Sequence, residues 1–196
     1  MLASPVYTPI ALDGVVNSDD LKPSWSKTGL TEDHHITIVY DKDGVIDQNA
    51  ILDDLKSILK SDYEVFMKFL EDDHQFRVDG MFDLEVFNTD EYDYLVLVLR
   101  RNNELYKLLN RSQDGLMKSY EITSDYPEYR AHITLAELVP GSGAKYLENE
   151  DLKKVLKDST VSFEDLVFSM HDKTDVKEVV WSITTFHTLE RLFREY

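Results

Sequence analysis

His132-Ile133-Thr134-Leu135 repeats a motif met earlier as His35-Ile36-Thr37-Ile38, and the two histidines stand 97 positions apart. The match runs on past the motifs. His35 to Lys60 lies on His132 to Lys157 without a gap, with nine identities in 26 positions. They include Gly44 with Gly141, Asp54-Leu55-Lys56 with Asp151-Leu152-Lys153, and Leu59-Lys60 with Leu156-Lys157. Phe66 with Phe163 extends the match. A chain that carries one such half twice is expected to fold as two pseudo-symmetric lobes, each contributing one histidine.

Each motif sits in a segment of strand character. In a strand successive side chains point to opposite faces, so His35 shares a face with Thr37, and His132 with Thr134. Strict alternation puts Ile36, Ile38 and Tyr40 on one side and His35, Thr37 and Val39 on the other. After the first motif a Gly-containing turn precedes a helix from about 49 to 60, where Ile51, Leu52, Leu55, Ile58 and Leu59 recur at helical spacing. Strands are expected over 64–70, 75–78, 81–87 and 94–100, the last an apolar run of sheet-centre type. A helix over 102–110 follows, then a stretch over 111–127 that is irregular or partly helical.

The second copy runs as a strand over 130–138, a turn at 140–143 and a helix over 148–157 that Asn149 is placed to cap. Strands over 161–170 and 178–186 and a short helix over 189–195 close the chain. Ahead of the first motif, Val6 to Leu12 reads as an edge strand because Pro9 cannot donate to a ladder. Residues 13–33 read as a long loop, either a lid or a plain connector. The class is α+β with antiparallel sheets and helices outside, in a single domain over 1–196.

Composition excludes several functions. There is no cysteine, which removes thiol chemistry, disulfides and zinc sites of the cysteine type. The longest purely apolar run, Leu95–Leu99, is too short to span a bilayer, and the N-terminus has no secretory pattern, so a soluble cytoplasmic protein is expected. Thirty-eight acidic residues against 21 basic ones give a net charge of −17. Long DNA or RNA is disfavoured, because backbone binding needs a basic surface. A small anion held by a few local donors remains open.

A single His-x-Thr carries little information in a chain with six histidines and twelve threonines. Two copies inside a gapless repeat carry far more. If both strands line one cleft, a phosphate between them meets an imidazole and a hydroxyl on each side. One neutral histidine accepts the proton of an attacking hydroxyl or water, and the other, as imidazolium, protonates the leaving oxygen. The hydroxyls of Thr37 and Thr134 donate to the non-bridging oxygens. No metal or other cofactor is needed. Which histidine is acid and which base is left open, since substrate polarity decides it.

This constellation resembles the 2H phosphoesterase superfamily, named for its paired His-x-Thr/Ser motifs. The resemblance covers nearly the whole chain: first motif, helix, the strand begun by Gly80-Met81-Phe82, Tyr94 to Leu99, helix, second motif. It implies a bilobal duplicated fold and metal-independent cleavage of phosphodiesters or cyclic phosphates, with His35, Thr37, His132 and Thr134 as site residues. Within the superfamily the chain is most similar to phage anti-CBASS enzymes, which destroy cyclic oligonucleotide alarm signals. That similarity rests on the small acidic build and on the approach Glu32-Asp33-His34 to the first motif. Such an enzyme would work in the host cytoplasm. RNA-end 2′,3′-cyclic and 2′-5′ phosphodiesterases are the alternative branch, and an inactive nucleotide-sequestering or protein-binding module is the alternative of another class.

Three further residues are candidates for substrate contact. Arg130 shares the face of His132 and is placed either to meet a phosphate or to form a surface ion pair. Tyr7 and Trp181 are candidates for holding a base, a role that aromatic residues have in the phage group; by itself each also fits an ordinary amphipathic or core aromatic. His34 is expected to point away from His35. His74, His171 and His187 have no threonine two positions on.

Overall fold

The computed structural model describes residues 12, 14–24, 26–31, 34–47, 49–70, 75–124, 126, 128–173 and 176–188, without the side chains of 164, 165 and 167–188. The proposed opening strand over 6–12, apart from Leu12 in a turn, lies outside the described residues, as do Tyr7, Glu32, Asp33 and the C-terminal helix over 189–195. The elements run β1 (His35–Asp41), α1 (Ile51–Leu59), α2 (Tyr63–Lys68), β2 (Phe76–Arg77), α3 (Val78–Met81), β3 (Phe82–Asn88), β4 (Asp93–Leu99), α4 (Glu104–Ser119), β5 (His132–Leu138), α5 (Glu150–Asp158), β6 (Thr160–Lys173) and β7 (Val176–Thr188). The class is α+β. All strand pairs are antiparallel, in one sheet of order β1-β7-β6-β2 and another of order β3-β4-β5. Among the described residues no helix is long and apolar enough to cross a membrane.

The repeat recurs in geometry. The ladder from β1 to β7 slips between Thr37 and Val39, and the ladder from β5 to β4 slips so that Thr134 pairs with Val96 and Ala136 with Leu95. Ile38 and Leu135 are therefore the extra residues of two β-bulges, and they stand 97 positions apart. Each bulge overturns the strict alternation expected after the threonine. Ile38 and Val39 both enter the core, as do Leu135 and Ala136. Gly44 and Gly141, in the turns that follow, take φ of 65° and 84°, a conformation that L side chains avoid. Each motif strand joins a hairpin: β5 extends β3-β4 and β1 extends β6-β7.

Several elements depart from the sequence expectation. The strand expected over 64–70 is instead helix α2, because Phe66 and Leu70, four apart, are the buried pair, a helical rather than an alternating spacing. Phe66 and Phe163 are both buried but lie in a helix and a strand, so that match is not one of structure. The strand expected over 75–78 shrinks to two residues before the turn of α3. Of the two readings of 111–127, the partly helical one holds: helix α4 runs on to Ser119, burying Leu105, Leu108, Leu109, Ser112 and Leu116. Asn103 caps it through Leu105 N–H, and Asn149 caps α5 through Leu152 N–H.

Within the expected loop over 13–33, the described residues of 20–31 are tied down rather than a free connector. They run along the outer edge of β5 through Val139 N to Asp20 O (2.7 Å), Lys22 N to Glu137 O (2.9 Å), Glu137 N to Gly29 O (2.7 Å) and Thr31 N to Leu135 O (3.0 Å). The buried Glu137 carboxylate accepts from the backbone N–H groups of Ser24 and Ser26. The segment thereby covers an edge that would otherwise be open for pairing. Gly29 is its tight point: φ is +82°, and a Cβ there would lie 2.8 Å from Leu21 Cβ and 3.3 Å from Glu137 O. Gly29→Ala is expected to cost about 2 kcal/mol, from the left-handed backbone and the displaced strap together. A urea unfolding curve with an unchanged midpoint would refute that packing.

Candidate active site

The four motif residues lie where the two sheets meet. β1 and β5 are edge strands of their sheets and pack against each other. Ile36 and Ile133 are fully buried, while His35, Thr37, His132 and Thr134 are all half-buried. On β5, His132 pairs with Val98 and Thr134 with Val96, and across β4 those valines pair with Asp83 and Glu85 of β3. Directly paired residues share a face, so β3 contributes Asp83, Glu85 and, two further on, Phe87 to the face of the second motif. On β1, His35 pairs with Thr184 and Thr37 with Ser182.

His132 is the better defined of the two histidines. Its Nδ1 lies 2.7 Å from the Arg130 carbonyl oxygen. A carbonyl only accepts, so this contact assigns the proton to Nδ1 and leaves the Nε2 lone pair free in the neutral ring. The Phe87 ring meets the imidazole edge-on, with centroids 4.9 Å apart and planes at 65°. Burial pushes the His132 pKa below the ordinary histidine value. The bond to the Arg130 carbonyl opposes that burial in part, and the charges of His35 and Arg130 add smaller pushes downward. The positive charge of His35 contributes to that lowering, and the two motif strands pack against each other.

Arg130 is committed to an ion pair with Glu85, and its guanidinium lies over the Phe87 ring at 4.6 Å. Both partners of the pair are 38% exposed, so the contact is open to solvent and weak in energy. The ion-pair role open to Arg130 is thus formed with Glu85. Trp181 has its backbone opposite Val39 and Phe168; its side chain, like all of Tyr7, is outside the described residues. His34 is buried, consistent with pointing away from His35. His171 and His187 lie in β6 and β7, and His74 is outside the described residues. Among the described residues no group of three or more His, Cys, Asp or Glu is arranged to hold a metal ion.

Sequence reading missed Glu85, Phe87 and Tyr129. The first two alternate with Leu84 and Val86, which marks a face other than the core, but nothing local says that this face looks at His132. Tyr129 donates its hydroxyl to the Thr37 carbonyl at 2.8 Å across 92 residues of sequence, a contact without a local signature. The arrangement offers a neutral imidazole with a free Nε2, a second imidazole on the strand packed against its own, and a half-buried hydroxyl beside each. The chain matches no known family model, and no curated protein or solved structure is similar enough to it to serve as a relative.

Proposed function

We propose that the protein is a metal-independent phosphodiesterase of the two-histidine kind, acting on a small nucleotide diester, and that its substrate is a cyclic oligonucleotide of the immune-signal type. The observation that carries this reading is the packing of β1 against β5, which brings the strands of the two His-x-Thr motifs together where the two sheets meet. Three features support the duplicated, two-lobed organisation that the reading needs. The motif strands carry bulges at matching positions, the turns after them carry matching left-handed glycines, and each strand extends a hairpin. The two lobes then wall one cleft, with a motif on each side.

In this reading His132 is the base. It is neutral at pH 7, its Nδ1 is tied to a carbonyl, and its Nε2 takes the proton of the attacking ribose hydroxyl or water. His35 is the acid, giving a proton to the leaving oxygen as the P–O bond breaks. Thr37 and Thr134 donate to the non-bridging oxygens. A net charge of −17 suits a small substrate held locally better than a long polyanion. Each proton transfer is assigned to a side chain of the protein, so turnover is expected to persist in EDTA.

The test is a panel of cyclic di- and trinucleotides, 2′-5′ oligoadenylate and 2′,3′-cyclic nucleotides, incubated with purified protein in EDTA. Cleavage of a cyclic oligonucleotide is expected. Cleavage confined to 2′-5′ or 2′,3′-cyclic substrates would move the protein to the RNA-end branch. Tight binding without cleavage would make it a sequestering module, and neither binding nor cleavage would refute the reading.

A further inference from the structure

Tyr129 stands three residues before His132, and its hydroxyl donates to the backbone carbonyl of Thr37. That carbonyl belongs to the first motif, at the point where the ladder between β1 and β7 slips. Tyr129 is itself held from the other side. The Tyr106 hydroxyl of α4 donates to the Tyr129 carbonyl at 3.0 Å, and the two rings stack with centroids 6.2 Å apart. Helix α4 in turn packs on β1. The next residue, Arg130, uses its own carbonyl to fix Nδ1 of His132. Two hydrogen bonds and one peptide link thus connect the Thr37 backbone to the His132 ring.

We infer that Tyr129 is a positioning residue, whose bond to the Thr37 carbonyl sets the separation of the two motif strands and with it the gap between His35 and His132. The inference rests on the reading of that pair as an acid and a base working on one phosphate. Burial holds the Tyr129 phenol far above the usual tyrosine range, so the hydroxyl remains a donor at any working pH. Removing it leaves the Thr37 carbonyl without that partner and frees the strands to drift. A drift of about 1 Å between reacting groups costs about 10²-fold in rate.

Tyr129→Phe keeps the ring and its stacking and deletes only the donor. It is expected to lower kcat by about 10- to 100-fold with KM within about threefold of wild type. A second readout needs no substrate: the titration of the His132 ring, followed by NMR. The charged groups around that ring are His35 from β1, Arg130 from its own segment, Glu85 bonded to Arg130, and Asp83 of β3, itself paired with Arg100. The substitution removes none of them but lets His35 move away, so the His132 titration is expected to rise toward the ordinary histidine value. Tyr106→Phe loosens Tyr129 from behind while leaving its bond to Thr37 in place, and is expected to move both readouts the same way by less.

A fall in melting temperature alone, with wild-type kcat and an unmoved His132 titration, would overturn the inference and leave Tyr129 as an ordinary core hydrogen bond. If Tyr129→Phe does not fold, the Tyr106→Phe titration decides. If the wild-type protein cleaves nothing, the enzymatic reading fails, while a shifted His132 titration would still support the coupling of the two strands.

Discussion

Under the proposed mechanism, His132→Ala is expected to lower kcat by about 10³-fold on any nucleotide found to be cleaved, within the range for loss of a positioned general base. KM is expected to change little, because the imidazole supplies a proton acceptor rather than the bulk of the binding. His35→Ala is expected to fall comparably, and the double variant little further than either single one, since two groups that serve one transition state fail as a unit. Saturating initial rates in EDTA check this. The pH dependence has a definite sign. A base with a pKa below the ordinary histidine value of 6.5 stays competent at pH 6.5, so the acidic limb of kcat is displaced to lower pH. Stability is linked to the same group. The unfolded chain binds that proton at higher pH than the folded one, so stability falls as pH drops through about 6.5. A urea midpoint followed from pH 7.5 to 5.5 is expected to decline, and to decline less in His132→Ala.

Asp93→Ala is expected to produce the largest loss of stability, about 4 kcal/mol, with little change in kcat of the protein that remains folded. The Asp93 carboxylate is buried and accepts three donors: Gly141 N–H at 2.9 Å, Gly143 N–H at 2.8 Å and Asn88 Nδ2 at 2.8 Å. These bonds pin the turn that follows the second motif to the β3-β4 hairpin. Each bond to a charged acceptor is worth about 1.5–3 kcal/mol, and alanine removes all three, leaving the buried Gly143 N–H unsatisfied while the exposed Gly141 and Asn88 turn to solvent. For a chain of this size the loss corresponds to a fall in melting temperature of roughly 10 °C. Gly143 is part of the same device, since a Cβ there would lie 3.0 Å from Asp93 Oδ2 and 2.6 Å from Val86 Cγ1. A fall of less than 3 °C would show that the carboxylate is replaceable.

The features legible in the sequence were those written locally and written twice. The doubled His-Ile-Thr located both edge strands, Gly44 and Gly141 marked the turns, and the apolar spacing of Ile51, Leu55 and Leu59 marked α1. Asn149 was readable as a cap because capping depends on its immediate neighbours. Features that depend on distant partners were not legible. A bulge after Thr37 or Thr134 leaves no trace when alternation is assumed, although it changes which side chains are buried. The helix at 63–68 was hidden by aromatic and β-branched residues that favour strands, and the tertiary contacts of Phe66 overrode that preference. Helix α4 outran its expected end because Ser112 and Leu116 continue its buried stripe through polar sequence. Glu85, Phe87 and Tyr129 reach the second motif or tie it to the first only through strand pairing and packing that no local pattern announces.

We propose that His35 and His132, from two sheets, face one another across a single site. The most direct measurement is the NMR titration of His132 in the wild-type protein and in His35→Ala. The account predicts a wild-type pKa below 6.5 that rises when His35 is removed, because one of the positive charges that disfavour His132 protonation has gone. An identical His132 titration in the two proteins would contradict it, placing the histidines in separate environments and ending their case as an acid–base pair.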